Sequence, residues 1–153
     1  MSIKRFEEIE AWQMARVLCQ EIFVITNTGG LAKDFSLKDQ IHRSSGSIMD
    51  NIAEGFDAGG NNEFVRFLNY SKRSASEVQS QLYRIIDRHY CTQTKFEALH
   101  EAACLIRAKI GAFIQYLESA ERRSPAKVSS QPAGNRQPDS SNREPGTRNR
   151  ELK

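Results

Sequence analysis

Ser36-Leu-Lys-Asp-Gln-Ile-His-Arg-Ser-Ser-Gly-Ser-Ile-Met-Asp-Asn-Ile-Ala-Glu-Gly55, then Phe56-Asp-Ala-Gly-Gly-Asn-Asn-Glu-Phe-Val-Arg-Phe-Leu68 and on to Ser74 and Glu77, is the stretch that decides the fold. Leu37, Ile41, Ser44, Ile48 and Ile52 form a row in steps of three and four. After Gly59-Gly60 a second row runs Leu68, Ser71, Ala75, Val78, Leu82 and Ile85, with Phe64 and Phe67 widening its start. Such spacing puts each row on one side of a helix. The stretch therefore predicts two helices joined by a glycine turn. The first starts near Ser36, with Ser36-x-x-Asp39 as a variant capping box, and is ended by Gly55 and Gly59-Gly60. The second starts at Asn61 or Asn62, both good caps, and ends near His89.

Working outward, the segment Phe6 to Thr26 carries Ile9, Trp12, Ala15, Cys19, Ile22 and Thr26 in one row, flanked by Leu18 and Ile25. Asn27 to Asp34, with Gly29 and Gly30, breaks it. Downstream, Thr94-x-x-Glu97 reads as a capping box opening a row of Leu99, Ala103, Ile106, Ile110, Phe113 and Leu117. Proline is absent before Pro125, and no segment alternates with period two. Four helices with short connections predict an all-α, antiparallel up-down-up-down four-helix bundle over residues 1–120.

Residues 121–153 do not fit that core. They are rich in Ser, Pro, Asn, Arg and Gly, with Val128 and Leu152 as the large aliphatics, too few to offset the ordering entropy. Asn135-Arg136, Asn142-Arg143 and Asn149-Arg150 recur every seven residues without apolar positions, so this is a low-complexity repeat and not a coiled coil. A disordered tail is expected. It holds 8 Lys+Arg and 4 acids, whereas residues 1–120 hold 14 and 15. The body is therefore −1 although the chain is +3, which argues against a nucleic-acid surface built on counterion release.

Three cysteines, Cys19, Cys91 and Cys104, have no close pairing. Charged residues Lys4, Arg5, Glu7, Glu8 and Glu10 interrupt the N-terminus, and no apolar run approaches membrane-spanning length. A cytoplasmic protein with reduced thiols and no membrane partner is expected.

The two central helices carry a second, polar row. Gln40, Arg43, Ser47, Asn51 and Glu54 step along the first; Ser71, Ser74 and Glu77 step along the second. Folding the hairpin about Gly59 brings Arg43 towards Ser74 and Glu77, Ser47 towards Ser71, and Asn51 towards Phe67. Small side chains there permit a close approach, and Arg43 with Glu77 is expected to pair at the edge. The row reads as a structural polar seam that sets register. Its alternatives are a ligand site and a subunit interface. Phe23, Val24, Met49, Phe56, Val65, Ile86 and Ile114 lie off the main rows, a surplus that points to self-association.

Catalytic patterns are missing. A di-iron bundle needs two Glu-x-x-His motifs, and only Glu97-x-x-His100 occurs, away from the apolar row. His42 and His89 have no acid at matching spacing. Ser45-Gly46-Ser47 sits inside a helix, and the glycines lack the lysine of a phosphate loop. Arg66, Lys72, Arg73, Arg84 and Arg88 share their helix with Glu63, Glu77 and Asp87, which reads as a solvated mixed face. No enzymatic activity, cofactor or metal is expected.

Phe6 through Trp12-Gln13 and Ala15, Leu37-x-x-Gln40, Arg43-Ser44, Ser47-Ile48, Asn51-Ile52-Ala53-Glu54-Gly55, Glu63-Phe64, Phe67-Leu68, Ser74 and Glu77 together resemble the four-helix-bundle family first noticed in intervening sequences of 23S ribosomal RNA genes. The resemblance covers about residues 5–118. It implies a small cytosolic bacterial protein that forms homopentamers, with itself as partner and no assigned biochemical role. A related branch is similar to the accessory variability protein of diversity-generating retroelements, a basic bundle that works with a reverse transcriptase and nucleic acid. The −1 body departs from that branch, and the repeat tail has no counterpart in the family pattern. A non-enzymatic homo-oligomeric scaffold or interaction module is the expected role. The alternative is a nucleic-acid-associated accessory protein.

Overall fold

The computed structural model describes residues 2–123. The expected disorder of the repeat tail falls almost wholly outside them. Four helices follow one another, α1 (Glu10–Thr26), α2 (Phe35–Asp57), α3 (Asn61–Asp87) and α4 (Gln93–Arg123), with 3-10 turns at Phe6–Glu8 and Leu31–Lys33. No strand occurs among the described residues. The connections are short, so neighbours run antiparallel, and α1–α2, α2–α3, α3–α4 and α1–α4 close the bundle. Among the described residues, no helix is long and apolar enough to cross a membrane.

The core gathers the expected rows. Ile22, Ile41, Ile48, Ile52, Leu68, Leu82, Ile85, Ile106 and Ile110 are fully buried between the helices. Each such side chain contributes about 1.5–3 kcal/mol over full exposure. In α1 the inward line is Ala11, Ala15, Leu18, Ile22 and Ile25, while Trp12 and Cys19 sit half-buried at its edge. Trp12 is drawn aside by the ring of Phe6, edge-on at 5.2 Å. Of the surplus apolar residues, Ile114 is core, and Met49, Phe56, Val65 and Ile86 pack against the chain's own core. Phe23 and Val24 remain exposed.

The helix ends depart from expectation in instructive ways. Asp34, not Ser36, caps α2: its carboxylate accepts from Leu37 N at 3.2 Å. That backbone donor, together with Arg88 and Tyr90, holds the Asp34 carboxyl below its ordinary range. Gly60 in extended conformation, not an asparagine side chain, precedes α3. Thr92, not Thr94, caps α4 by accepting from Lys95 N at 3.2 Å. At the end of α3, His89 takes φ 56° while its N–H donates to Ile86 O and that of Tyr90 to Ile85 O. This is the Schellman closure usually built on glycine. α4 runs to Arg123, three residues past the expected boundary at 120.

Gly55 does not end α2. It lies buried inside the helix, where an added Cβ would come within 2.6 Å of Phe67 Cβ and 2.9 Å of the Phe64 ring. The glycine lets α2 and α3 touch backbone to side chain just before the turn.

Candidate functional site

The α2–α3 seam is the most distinctive polar feature of the core. Ser71, fully buried on α3, donates to Ile48 O across the seam at 2.8 Å. Ser74 donates to Ser47 Oγ at 3.0 Å, and Asn51 Nδ2 donates to the same hydroxyl at 2.9 Å. Higher up, Gln81 Nε2 donates to Ser44 Oγ at 2.8 Å, and the Ser44 hydroxyl lies within reach of Gln40 O and of Glu77 Oε2 at 3.2 Å. Arg84 closes the row by donating to Gln40 Oε1 at 2.6 Å. Serine hydroxyls suit this place because they are small enough for close helix approach and can donate back to helical carbonyls.

Six of the eight expected seam residues are thus joined into this row: Gln40, Ser47, Asn51, Ser71, Ser74 and Glu77. Arg43 and Glu54 are not. Arg43 is exposed and pairs with Asp39 one turn back on its own helix at 2.9 Å. The expected Arg43–Glu77 pair is therefore overturned, since Glu77 faces Ser44 instead. Glu54 is exposed. The pairing also slips along α3: Ser47 meets Ser74 rather than Ser71. Helical side chains lean towards their own N-terminus. In an antiparallel hairpin, those of α2 lean away from the turn and those of α3 lean towards it, so partners lie further along α3 than a flat fold-back gives.

Gln81 and Arg84 belong to the row and were missed. The signal was present, since Gln81 continues the 71, 74, 78 line at the next step of three. Its Oε1 is buried without a hydrogen-bond partner among the described residues. An unpaired acceptor of this kind costs about 1–3 kcal/mol.

The hydroxyls of the seam are engaged with one another and with helical carbonyls, and the grooves by Phe56, Leu105 and Lys72 are lined by other residues. No group of three or more His, Cys, Asp or Glu side chains that could hold a metal ion occurs among the described residues. His42 Nε2 instead meets Thr26 Oγ at 2.7 Å.

A bundle whose middle hairpin is zipped by small polar side chains defines a class of all-α proteins. The family model described as 23S rRNA-intervening sequence protein matches residues 7–112, and the chain belongs to that family. The fold is similar to a crystal structure from Bacteroides thetaiotaomicron VPI-5482, a protein with unknown function from the S23 ribosomal protein family. The two share 24% identity at a TM-score of 0.64, over 69% of this chain and 95% of that one. No match to a curated protein is found.

Proposed function

We propose that the protein is a non-enzymatic scaffold or interaction module of the cytoplasm that acts as a closed homo-oligomer, a pentamer by family resemblance. One observation carries the reading: the outer side of α1 is apolar. Val17 and Val24, seven residues apart and so on one line of the helix, are 58% and 57% exposed, and Phe23 beside them is 61% exposed. Shallow apolar grooves flank this line, against α4 by Met14, Leu99 and Leu105, and against α2 by Cys19 and Met49. Two different flanks on one helix suit a heterologous, ring-closing contact better than a single self-complementary patch. Burying what remains exposed of each of the three side chains between subunits gains about 1–2 kcal/mol.

Light scattering on a sizing column tests this. The expected mass is near five chains of 17.4 kDa. The double substitution Val17→Glu, Val24→Glu is expected to give monomer with unchanged helicity. A wild-type mass of one chain overturns the oligomer; a mass of two overturns the ring.

The nucleic-acid reading has one observation of its own. On the outward side of α3, Arg66 lies 5.3 Å over the Phe67 ring and Arg73 lies 5.8 Å over Tyr70. Arginine and aromatic planes side by side are what stacks on unpaired bases. Retention of single-stranded RNA that weakens steeply with salt supports it, and retention independent of Arg66 and Arg73 speaks against it.

A further inference from the structure

We propose that Cys104 is a thiol–disulfide exchange site that takes low-molecular-weight disulfides bearing carboxylates. The sulfur lies on the α3–α4 face, diagonally across the bundle from the α1–α2 edge. His100, one turn earlier on α4, places Nδ1 at 3.7 Å from Sγ. From α3, Gln79 Nε2 donates to the same sulfur at 2.8 Å. The neighbouring imidazole is placed to take the thiol proton, and the thiolate is the attacking form. The imidazole packs beside the rings of Tyr83 and Phe96, at 5.2 and 5.4 Å, and those rings also touch each other.

Cys104 also lines a groove of about 370 Å³ together with Lys72, Arg107, Gly111 and Gln115, with no carboxylate in its lining. Neither Lys72 nor Arg107 forms an ion pair among the described residues. Lys72 reaches from α3 over the backbone of Gly111, where an added Cβ would sit 3.8 Å from its Nζ. A nucleophile and two cations without ion-pair partners among the described residues thus border one open space, and the imidazole stands one turn behind the sulfur. The other thiols lack this setting. Burial pushes the Cys19 thiol up despite a hydrogen bond with Ser45. Burial also raises Cys91, with only Lys95 opposing.

In the exchange, the Cys104 proton passes to His100 and the thiolate attacks one sulfur of the disulfide. The incoming S–S bond breaks, its electron pair leaves with the second sulfur, and that thiolate takes the proton from His100. One disulfide is consumed and one mixed disulfide is formed, so no further oxidant is needed.

The full chain is incubated with oxidised glutathione, which is anionic, with cystamine, which is cationic, and with neutral hydroxyethyl disulfide. Adducts are counted by peptide mass spectrometry, with Cys91 in the same molecules as the internal standard. Cys104 is expected to react with oxidised glutathione about tenfold faster than Cys91. Lys72→Glu with Arg107→Glu is expected to slow the anionic reagent and speed the cationic one, each by about tenfold. His100→Ala is expected to slow all three reagents. If the charge-reversed chain fails to fold by circular dichroism, Lys72→Gln with Arg107→Gln replaces it, and the preference for the anionic reagent must shrink. A Cys104 no faster than Cys91, or an anionic-to-cationic rate ratio unmoved by the charge changes, overturns the proposal.

Discussion

The α2–α3 hairpin and helix α1 solve the same packing problem in opposite ways. The hairpin brings two long helices of 23 and 27 residues together through Gly55, Ser44, Ser71 and Ser74, all of them buried at the contact. α1, with 17 residues, is about 26 Å long and covers only part of its neighbours. It turns Ala11, Ala15, Leu18 and Ile22 inward and still presents Val17, Phe23 and Val24 to the outside. The hydroxyls of the hairpin seam are engaged within one chain, and of its buried side-chain atoms only Gln81 Oε1 lacks a partner among the described residues. The α1 face has apolar surface left over. Polar groups therefore mark the finished contact in this molecule, and apolar groups mark the unfinished one.

Substitutions can break that contrast, and the largest effect is expected at the tightest point. Gly55→Leu forces a side chain against Phe67 Cβ and the Phe64 ring. It is expected to lower stability by about 3 kcal/mol in a urea titration. A loss under about 1 kcal/mol would mean the hairpin is looser than described. Next, Ser71→Ala removes the bond to Ile48 O and is expected to cost about 1 kcal/mol. On the open face, Val17→Ser is expected to change the stability of the dissociated chain by less than about 0.5 kcal/mol. If Val17→Ser costs that chain more than Ser71→Ala, the assignment of finished and unfinished faces is reversed. The smallest effect concerns charge. Arg43→Ala and Glu77→Ala are expected to be additive, with coupling below about 0.3 kcal/mol in a double-mutant cycle, because Arg43 pairs with Asp39 and Glu77 faces Ser44.

The rows of α2, α3 and most of α4 were legible because Ile, Leu, Val and Ala recur there without competition. In α1 the large Trp12 looked like a core residue, yet the small Ala11 is the inner one. Size at an amphipathic edge says nothing about which neighbour, here Phe6, will claim the ring. The capping motifs at Ser36 and Thr94 lost to Asp34 and Thr92, each two residues earlier. Local sequence allows both registers at such an end, and for α2 the tertiary partners Arg88 and Tyr90 reinforce Asp34. The seam was legible as a set of residues but not as pairings. Pairing depends on the lean of side chains along two opposed helix axes, which spacing in one chain does not contain. Gln81 was passed over because a long amide on an apolar line looks like an interruption, not a member.

The turn between α2 and α3 is only Ala58, Gly59 and Gly60, with Gly59 at φ 81°. Its consequence is kinetic. A loop that short closes at small entropic cost, so the seam beside it can form before any contact that must wait for distant chain ends to meet. The α1–α4 contact, such as Lys109 with Glu10, joins residues 99 positions apart and belongs to the late stage. On this ordering, changes in the seam near the turn slow folding, whereas changes where α1 meets α4 mainly speed unfolding. The glycine pair thereby sets a sequence of events in time: a hairpin that forms early, and a meeting of the first and last helices that comes late.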